Sequence, residues 1–212
     1  MSKLLILGAG GHGKVVAECA LFSGIYKKVA FLDDDQKVRG KLILGSCSVI
    51  GAFRDAEALL NEFPEAFVAL GNNKSRVELI QYLKNLGFRI PSLIYPTAYV
   101  SRFSYIGIGT IIMAGAVVNA NAWIGVGGII NTSASVDHDC VLGRGVHLSP
   151  GARLGGMVTV GDFSWICIGA CVVNNVCVGE GTVVAAGASV IGDVGNRMLV
   201  GGVPARELKR LD

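Results

Sequence analysis

IMAGAV VNANAW IGVGGI INTSAS VDHDCV, residues 112–141, carries an aliphatic residue at the head of every six-residue block. The register extends in both directions: each sixth residue from Ile94 to Val190 is Ile, Leu or Val, seventeen in succession with no insertion. Periodicity of this kind marks a solenoid, in which each repeat buries its apolar face only against its neighbours. A second column lies four residues after each aliphatic one and holds only small residues, beginning Ala98, Ser104, Thr110, Ala116, Ala122, Gly128, Ala134, Cys140, Val146 and Ala152. One large and one small inward residue per block predict short strands wrapped into a tight prism. Gly107, Gly125, Gly143, Gly155, Gly161 and Gly179 each directly follow an aliphatic residue and are expected at corners where a side chain would strain the backbone.

This pattern resembles the hexapeptide-repeat transferases over roughly residues 94–204. The resemblance implies a left-handed parallel β-helix with three hexads per coil, about five and a half coils in all.

The chain has 212 residues, 51% hydrophobic and 17% charged, with a net charge of +3. It is long enough to bury two modest cores. Its apolar residues are spread along the repeat, and no run approaches the roughly 18 needed to span a membrane, so no membrane partner is expected. Lys3 to Leu7 is too short, and too quickly followed by glycines, for a signal peptide. A cytoplasmic location is therefore expected. No basic run with interleaved aromatics points to nucleic acid. The six cysteines form no Cys-x-x-Cys pair and the histidine spacing completes no zinc site, so the thiols read as small hydrophobes and no metal is expected.

The first ninety residues follow another logic. Lys3 to Leu7 reads as a buried strand, Gly8-Ala9-Gly10-Gly11-His12-Gly13 as a turn, and Lys14 to Phe22 as a helix. Val29 to Leu32 is a second strand that runs into Asp33-Asp34-Asp35; Ala66 to Leu70 is a third, followed by a helix from about Ser75 to Leu86 and a strand towards Ile90. Alternating β and α elements predict a small Rossmann-like α/β unit with a parallel sheet. The expected domains are residues 1–92, a β-helix over 93–195 and a closing segment over 196–212.

Glycines after a strand let the backbone approach a phosphate, and the helix N-terminus that follows offers free N–H groups. The unit is short for a complete dinucleotide fold and nothing downstream resembles a hydride-transfer site, so a nucleotide-sugar diphosphate is the favoured ligand.

Gly8 to Val16, Phe31-Leu32-Asp33-Asp34, and Asn131-Thr132 together with Val136-Asp137-His138-Asp139-Cys140 resemble one subfamily across the whole chain. It contains the acetyltransferases of UDP-4-amino sugars of the bacillosamine-pathway type and of GDP-perosamine, and the sialic acid O-acetyltransferases. The resemblance implies direct acetyl transfer from acetyl-CoA to the C4 amine of a UDP-4-amino-4,6-dideoxy-N-acetylglucosamine-type sugar for glycan biosynthesis. GDP-perosamine N-acetylation and sugar O-acetylation are the alternatives.

The chain has three histidines. His138 follows the inward Val136 by two residues and so faces outward, where an imidazole titrating near neutrality suits proton removal. Asn131 lies one hexad and one step earlier, which suggests the same edge of the coil, and its amide can both donate and accept. His12 lies in the glycine turn. Asp33 and Asp34 end a parallel strand, where α/β sheets bind ligands. The resemblance implies that His138 is the general base, supported by Asp139 and Asn131. It also implies that Gly10, Gly11, His12, Gly13, Lys14, Asp33 and Asp34 line the sugar-nucleotide pocket. His147, Arg206 and the backbone N–H groups of Gly155 and Gly156 would meet acetyl-CoA, the glycines as oxyanion donors. The family's homotrimers, with cofactor clefts between subunits, are implied as well.

Overall fold

The computed structural model describes residues 2–212 and divides into two compact units, Met1–Pro96 and Thr97–Asp212.

In the first unit β1 (Ser2–Leu7), α1 (Gly11–Phe22), β2 (Tyr26–Leu32), β3 (Leu42–Ile43), β4 (Cys47–Gly51), α2 (Ala56–Leu59), β5 (Glu65–Val68) and α3 (Asn73–Asn85) follow in order. The sheet runs β3-β4-β2-β1-β5. Its interior strand β1 pairs in parallel with β2 (Leu4 opposite Val29) and with β5 (Leu4 opposite Glu65). A strand flanked on both sides must be apolar along its length, and Leu4, Leu5, Ile6 and Leu7 are fully buried. Two details depart from expectation. The strand anticipated near Ile90 is reduced to a single parallel bridge between Glu65 and Arg89, and the β3–β4 pairing, antiparallel, has no alternating pattern long enough to announce it.

The second unit is a three-faced prism of two-residue strands. The first face runs from Tyr99–Val100 through Val117–Val118, Ser135–Val136, Arg153–Leu154 and Cys171–Val172 to Ser189–Val190. The second face runs from Tyr105–Ile106 to Cys177–Val178, and the third carries Ile111–Ile112 through Val183–Val184 and is continued by Met198–Gly201. From Tyr99 to Val190 the strands of each face pair in parallel at eighteen-residue spacing, as Val118 to Val136 to Leu154. One face of every strand pair points inward, so the aliphatic column and the small-residue column merge into one core from Ile112 to Val200. The polar members of the small column are satisfied in place: Thr110 Oγ1, Ser164 Oγ and Thr182 Oγ1 donate to the carbonyls of Gly125, Gly179 and Gly195 at 3.1, 2.6 and 2.7 Å.

The glycines after the aliphatic residues serve a different purpose from the one expected. A Cβ at Gly107 or Gly125 would lie 2.6–2.7 Å from backbone of the next coil, so close stacking excludes a side chain there. The left-handed backbone falls two residues later and recurs every sixth residue from Gly109 to Gly187, with Asn121, Ser133, Asp139, Met157, Phe163 and Asn175 among its occupants. The thiol reading also needs correction: Cys19, Cys47 and Cys140 are buried, but Cys171 and Cys177 occupy outward strand positions and are exposed. Beyond the prism, Met198–Gly201 pairs antiparallel with Arg206–Arg210. No helix among the described residues is long and apolar enough to cross a membrane.

Candidate active site

Stacking at eighteen residues turns each corner of the prism into vertical columns. At the corner between the first and second faces these are Ser101, Asn119, Asp137 and Gly155; Arg102, Ala120, His138 and Gly156; and Phe103, Asn121, Asp139 and Met157. The upper members line an open pocket of about 640 Å³ together with Tyr99, Val100, Asp137 and His138.

Two carboxylates hold His138 from either side. Asp137 Oδ1 accepts from the His138 N–H at 2.8 Å and from Asn119 Nδ2 at 2.9 Å. Asp139 adopts the left-handed conformation (φ 59°), which an Asp tolerates better than most residues. That conformation turns its carboxylate back so that Oδ2 lies 2.7 Å from His138 Nδ1, while Oδ1 accepts from Asn121 Nδ2 at 3.2 Å. An ionised carboxylate can only accept, so the proton sits on Nδ1 and the lone pair on Nε2. The bond to Asp139, aided by the charges of Asp137 and Asp139, raises the imidazole's pKa above its ordinary value. The same bond, followed by that from Asn121, lowers the pKa of Asp139. Asp137 is lowered by the His138 N–H and by Asn119. Above and below, His138 meets only Ala120 and Gly156 in its column. A Cβ at Gly156 would come within 2.6 Å of both Cε1 and Nε2, so the imidazole lies directly against that glycine's backbone.

Asn131 and His147 form a separate group. Asn131 sits on the turn from the third face to the first, one corner away from His138, because one hexad advances the chain by one face rather than one coil. Its Nδ2 lies 3.4 Å from His147 Nε2. The His147 ring stacks on Trp165 (centroids 5.6 Å apart, 7° between planes), and Trp165 Nε1 donates to Ser149 Oγ at 2.7 Å. The same-edge expectation for Asn131 and His138 therefore does not hold within one chain. Of the two glycines expected as oxyanion donors, Gly155 gives its N–H to the Val172 carbonyl at 2.9 Å, whereas the Gly156 N–H makes no such bond among the described residues.

In the N-terminal unit the glycine segment is helical earlier than expected. Gly11, His12 and Gly13 form the first turn of α1, capped by Gly10 without a side-chain bond. The first intrahelical bond runs from Lys14 N to Gly10 O, so the N–H groups ahead of it are free for an anion. Gly10 and Gly11 face open space, whereas a Cβ at Gly13 would collide with the Gly8 carbonyl. Lys14 is exposed. His12 turns inward instead. Burial, then the neighbouring Arg76 charge, lowers its pKa to about 4, and its Nε2 is buried without a hydrogen-bond partner. Arg76, itself buried, donates to the Leu70 carbonyl and to Asn73 Oδ1, each at 2.9 Å, and so fixes the turn after β5. Asp33 ties loops together, accepting from Ala9 N at 2.7 Å and Asp35 N at 2.9 Å; Asp34 accepts from Phe53 N at 2.9 Å. Arg206 is exposed on the terminal hairpin.

The sequence reading gives Asn119 and Asn121 no part and Asp137 only a place in the His138 motif; the signal for their bonds is the spacing, since each stands eighteen residues from a column partner. Among the described residues no group of three His, Cys, Asp or Glu side chains could hold a metal ion.

Residues 3–83 match the family model of the PglD N-terminal domain. UDP-N-acetylbacillosamine N-acetyltransferase of Bacillus subtilis (strain 168) is 36% identical over 116 residues, which cover 54% of this chain and 52% of that protein. The match thus spans about half the length of that curated relative. The acetyltransferase domain of PglB from Neisseria gonorrhoeae FA1090, solved with acetyl coenzyme A, is 43% identical with a TM-score of 0.93, covering 97% of this chain and 98% of that one. PerB from Caulobacter crescentus, solved with CoA and GDP-perosamine, is 37% identical with a TM-score of 0.93, covering 99% and 98%.

Proposed function

This chain belongs to the left-handed β-helix, hexapeptide-repeat family of acetyl-CoA-dependent sugar N-acetyltransferases, and on that footing we propose that it acetylates the C4 amine of a nucleotide-linked sugar of the UDP-4-amino-4,6-dideoxy-N-acetylglucosamine type. The observation that carries the proposal is the His138–Asp139 pair, which leaves Nε2 as an unprotonated acceptor at the pocket.

In this reading the amine nitrogen attacks the thioester carbonyl of acetyl-CoA, and Nε2 takes the N–H proton as the C–N bond forms. The tetrahedral intermediate collapses with loss of the coenzyme A thiolate, which recovers the proton from His138. The Gly156 N–H stabilises the oxyanion. No covalent acetyl-enzyme is needed, since the neighbouring thiol, Cys140, is buried and donates to the Gly155 carbonyl at 3.1 Å. The first turn of α1 binds the diphosphate. His12 packs behind it as a neutral ring, and Asp33 and Asp34 hold the surrounding loops. Arg206 meets the phosphates of the donor.

The protein acts as a homotrimer. His138 and the Asn131–His147 group lie at different corners of one prism, and threefold packing supplies the second group from a neighbour. Its use of acetyl-CoA supports a cytoplasmic location.

The test is thiol release from acetyl-CoA, with mass analysis of the acceptor, across UDP-4-amino-4,6-dideoxy-N-acetylglucosamine, GDP-perosamine and free sialic acid. The UDP sugar gains one acetyl group, and His138→Ala slows that reaction by roughly 10²- to 10⁴-fold. Turnover of sialic acid alone would overturn the assignment.

A further inference from the structure

The corner around His138 shows two free hydrogen-bond acceptors, and the Gly156 N–H beside them is the group assigned to the oxyanion. His138 Nε2 is one, its Nδ1 being committed to Asp139. The other is Asp137 Oδ2. Both bonds that Asp137 accepts, from Asn119 and from the His138 N–H, fall on Oδ1, and Oδ2 has no protein donor among the described residues. Asp137 and His138 line the same pocket. The amide that might have served as a donor there, Asn119 Nδ2, is turned onto Asp137. Arg102 is the one cation among the pocket-lining residues, and it stands in the His138 column two coils up, over the Phe103 ring at 4.7 Å. Asp139 is occupied by His138 and Asn121.

This arrangement counts hydrogens. A primary amine brings two N–H donors and one lone pair. A hydroxyl brings one O–H and two lone pairs. Between two acceptors the amine satisfies both and leaves its lone pair free to attack, whereas a hydroxyl satisfies one and sets oxygen lone pairs against an ionised carboxylate. The bonds from His138 and Asn119 keep that carboxylate ionised.

Resting on the reading of His138 as the base, we propose that Asp137 determines specificity: its Oδ2 accepts the second N–H of the acceptor amine and so selects an amino sugar over its hydroxyl counterpart. Asp137 keeps no proton at any stage. The one lost from nitrogen passes to His138 and then to the thiolate.

The test compares kcat/KM for a 4-amino nucleotide sugar and its 4-hydroxy counterpart, with acetyl-CoA as donor, in wild type and Asp137→Asn. Asparagine retains Oδ1 for Asn119 and the His138 N–H but replaces Oδ2 by a donor. The amine-to-hydroxyl ratio falls about tenfold or more, through loss on the amine, while acetyl-CoA binding is unchanged. Equal losses on both acceptors would mean that Asp137 only holds the corner, and would overturn the proposal. If Asp137→Asn fails to bind acetyl-CoA, Asp137→Ser removes Oδ2 by shortening the side chain and is read the same way. Failure of the underlying functional reading looks different: wild type is then silent on the amine.

Discussion

The His138 imidazole leaves no room for a side chain at Gly156, where a Cβ would lie 2.6 Å from Nε2. Because Gly156 does not use the left-handed region, Ala fits its backbone and clashes only with the ring. Gly156→Ala therefore displaces the base without unfolding the prism. A misplacement of about 1 Å costs roughly 10²-fold in rate, so kcat falls by that order while the melting temperature stays within a few degrees. Equal loss of both would place the defect in folding instead.

The pH profile reports on Asp139. A base works when deprotonated, so kcat/KM falls as pH drops through the His138 pKa. Asp139 raises that pKa, which puts the acid limb above the ordinary imidazole range. Asp139→Asn moves the limb to lower pH and also lowers the plateau, because the amide no longer holds the proton on Nδ1. An unmoved limb would mean that the titrating group is not His138.

His12 governs acid stability of the N-terminal unit. Its folded pKa of about 4 lies below the ordinary imidazole value of 6.5, so between those values the unfolded chain binds a proton that the folded one refuses. Stability is complete above pH 6.5 and declines as pH falls towards 4, by about 3 kcal/mol. His12→Asn flattens this slope. Hydrogen exchange of β1 and α1 amides across that range measures it.

The β-helix was legible because its physics is local and repeated: one column of aliphatics and one of small residues suffice to set three faces. The site was only half legible. His138 and Asp139 are neighbours in sequence, and their pairing needs no more than one left-handed residue. Asn131 misled because a hexad is a step around the prism, while contact between coils needs three. Asp137 was hidden for the same reason, its partner Asn119 being one full coil away. In the first unit the glycines read as a turn, yet Gly11 to Gly13 are helical, since glycine here serves the approach of Gly13 to the Gly8 carbonyl rather than a bend.

Mixing distinguishes a shared site from a private one. His138→Ala and Asn131→Ala are each inactive or nearly so. If a site takes His138 from one subunit and Asn131 from the next, randomly mixed trimers restore about a quarter of the sites. A private site gives no recovery after co-refolding, as read by thiol release.

Leu142 is fully buried in the aliphatic column. Leu142→Ala costs about 2–5 kcal/mol, measured by denaturant unfolding, because a prism with coils locked above and below cannot collapse to fill the gap.

The coil register also acts as a length scale. Adding one eighteen-residue coil between Phe103 and Asn119 would return every later column to its place and leave the bonds among Asp137, His138 and Asp139 untouched. It would raise the lip of the pocket formed by Tyr99, Arg102 and Phe103 by about 4.8 Å, the spacing of adjacent strands. Depth of the acceptor groove and chemistry at its floor are thus set by separate stretches of chain, and duplication or loss of a whole coil can resize one without disturbing the other.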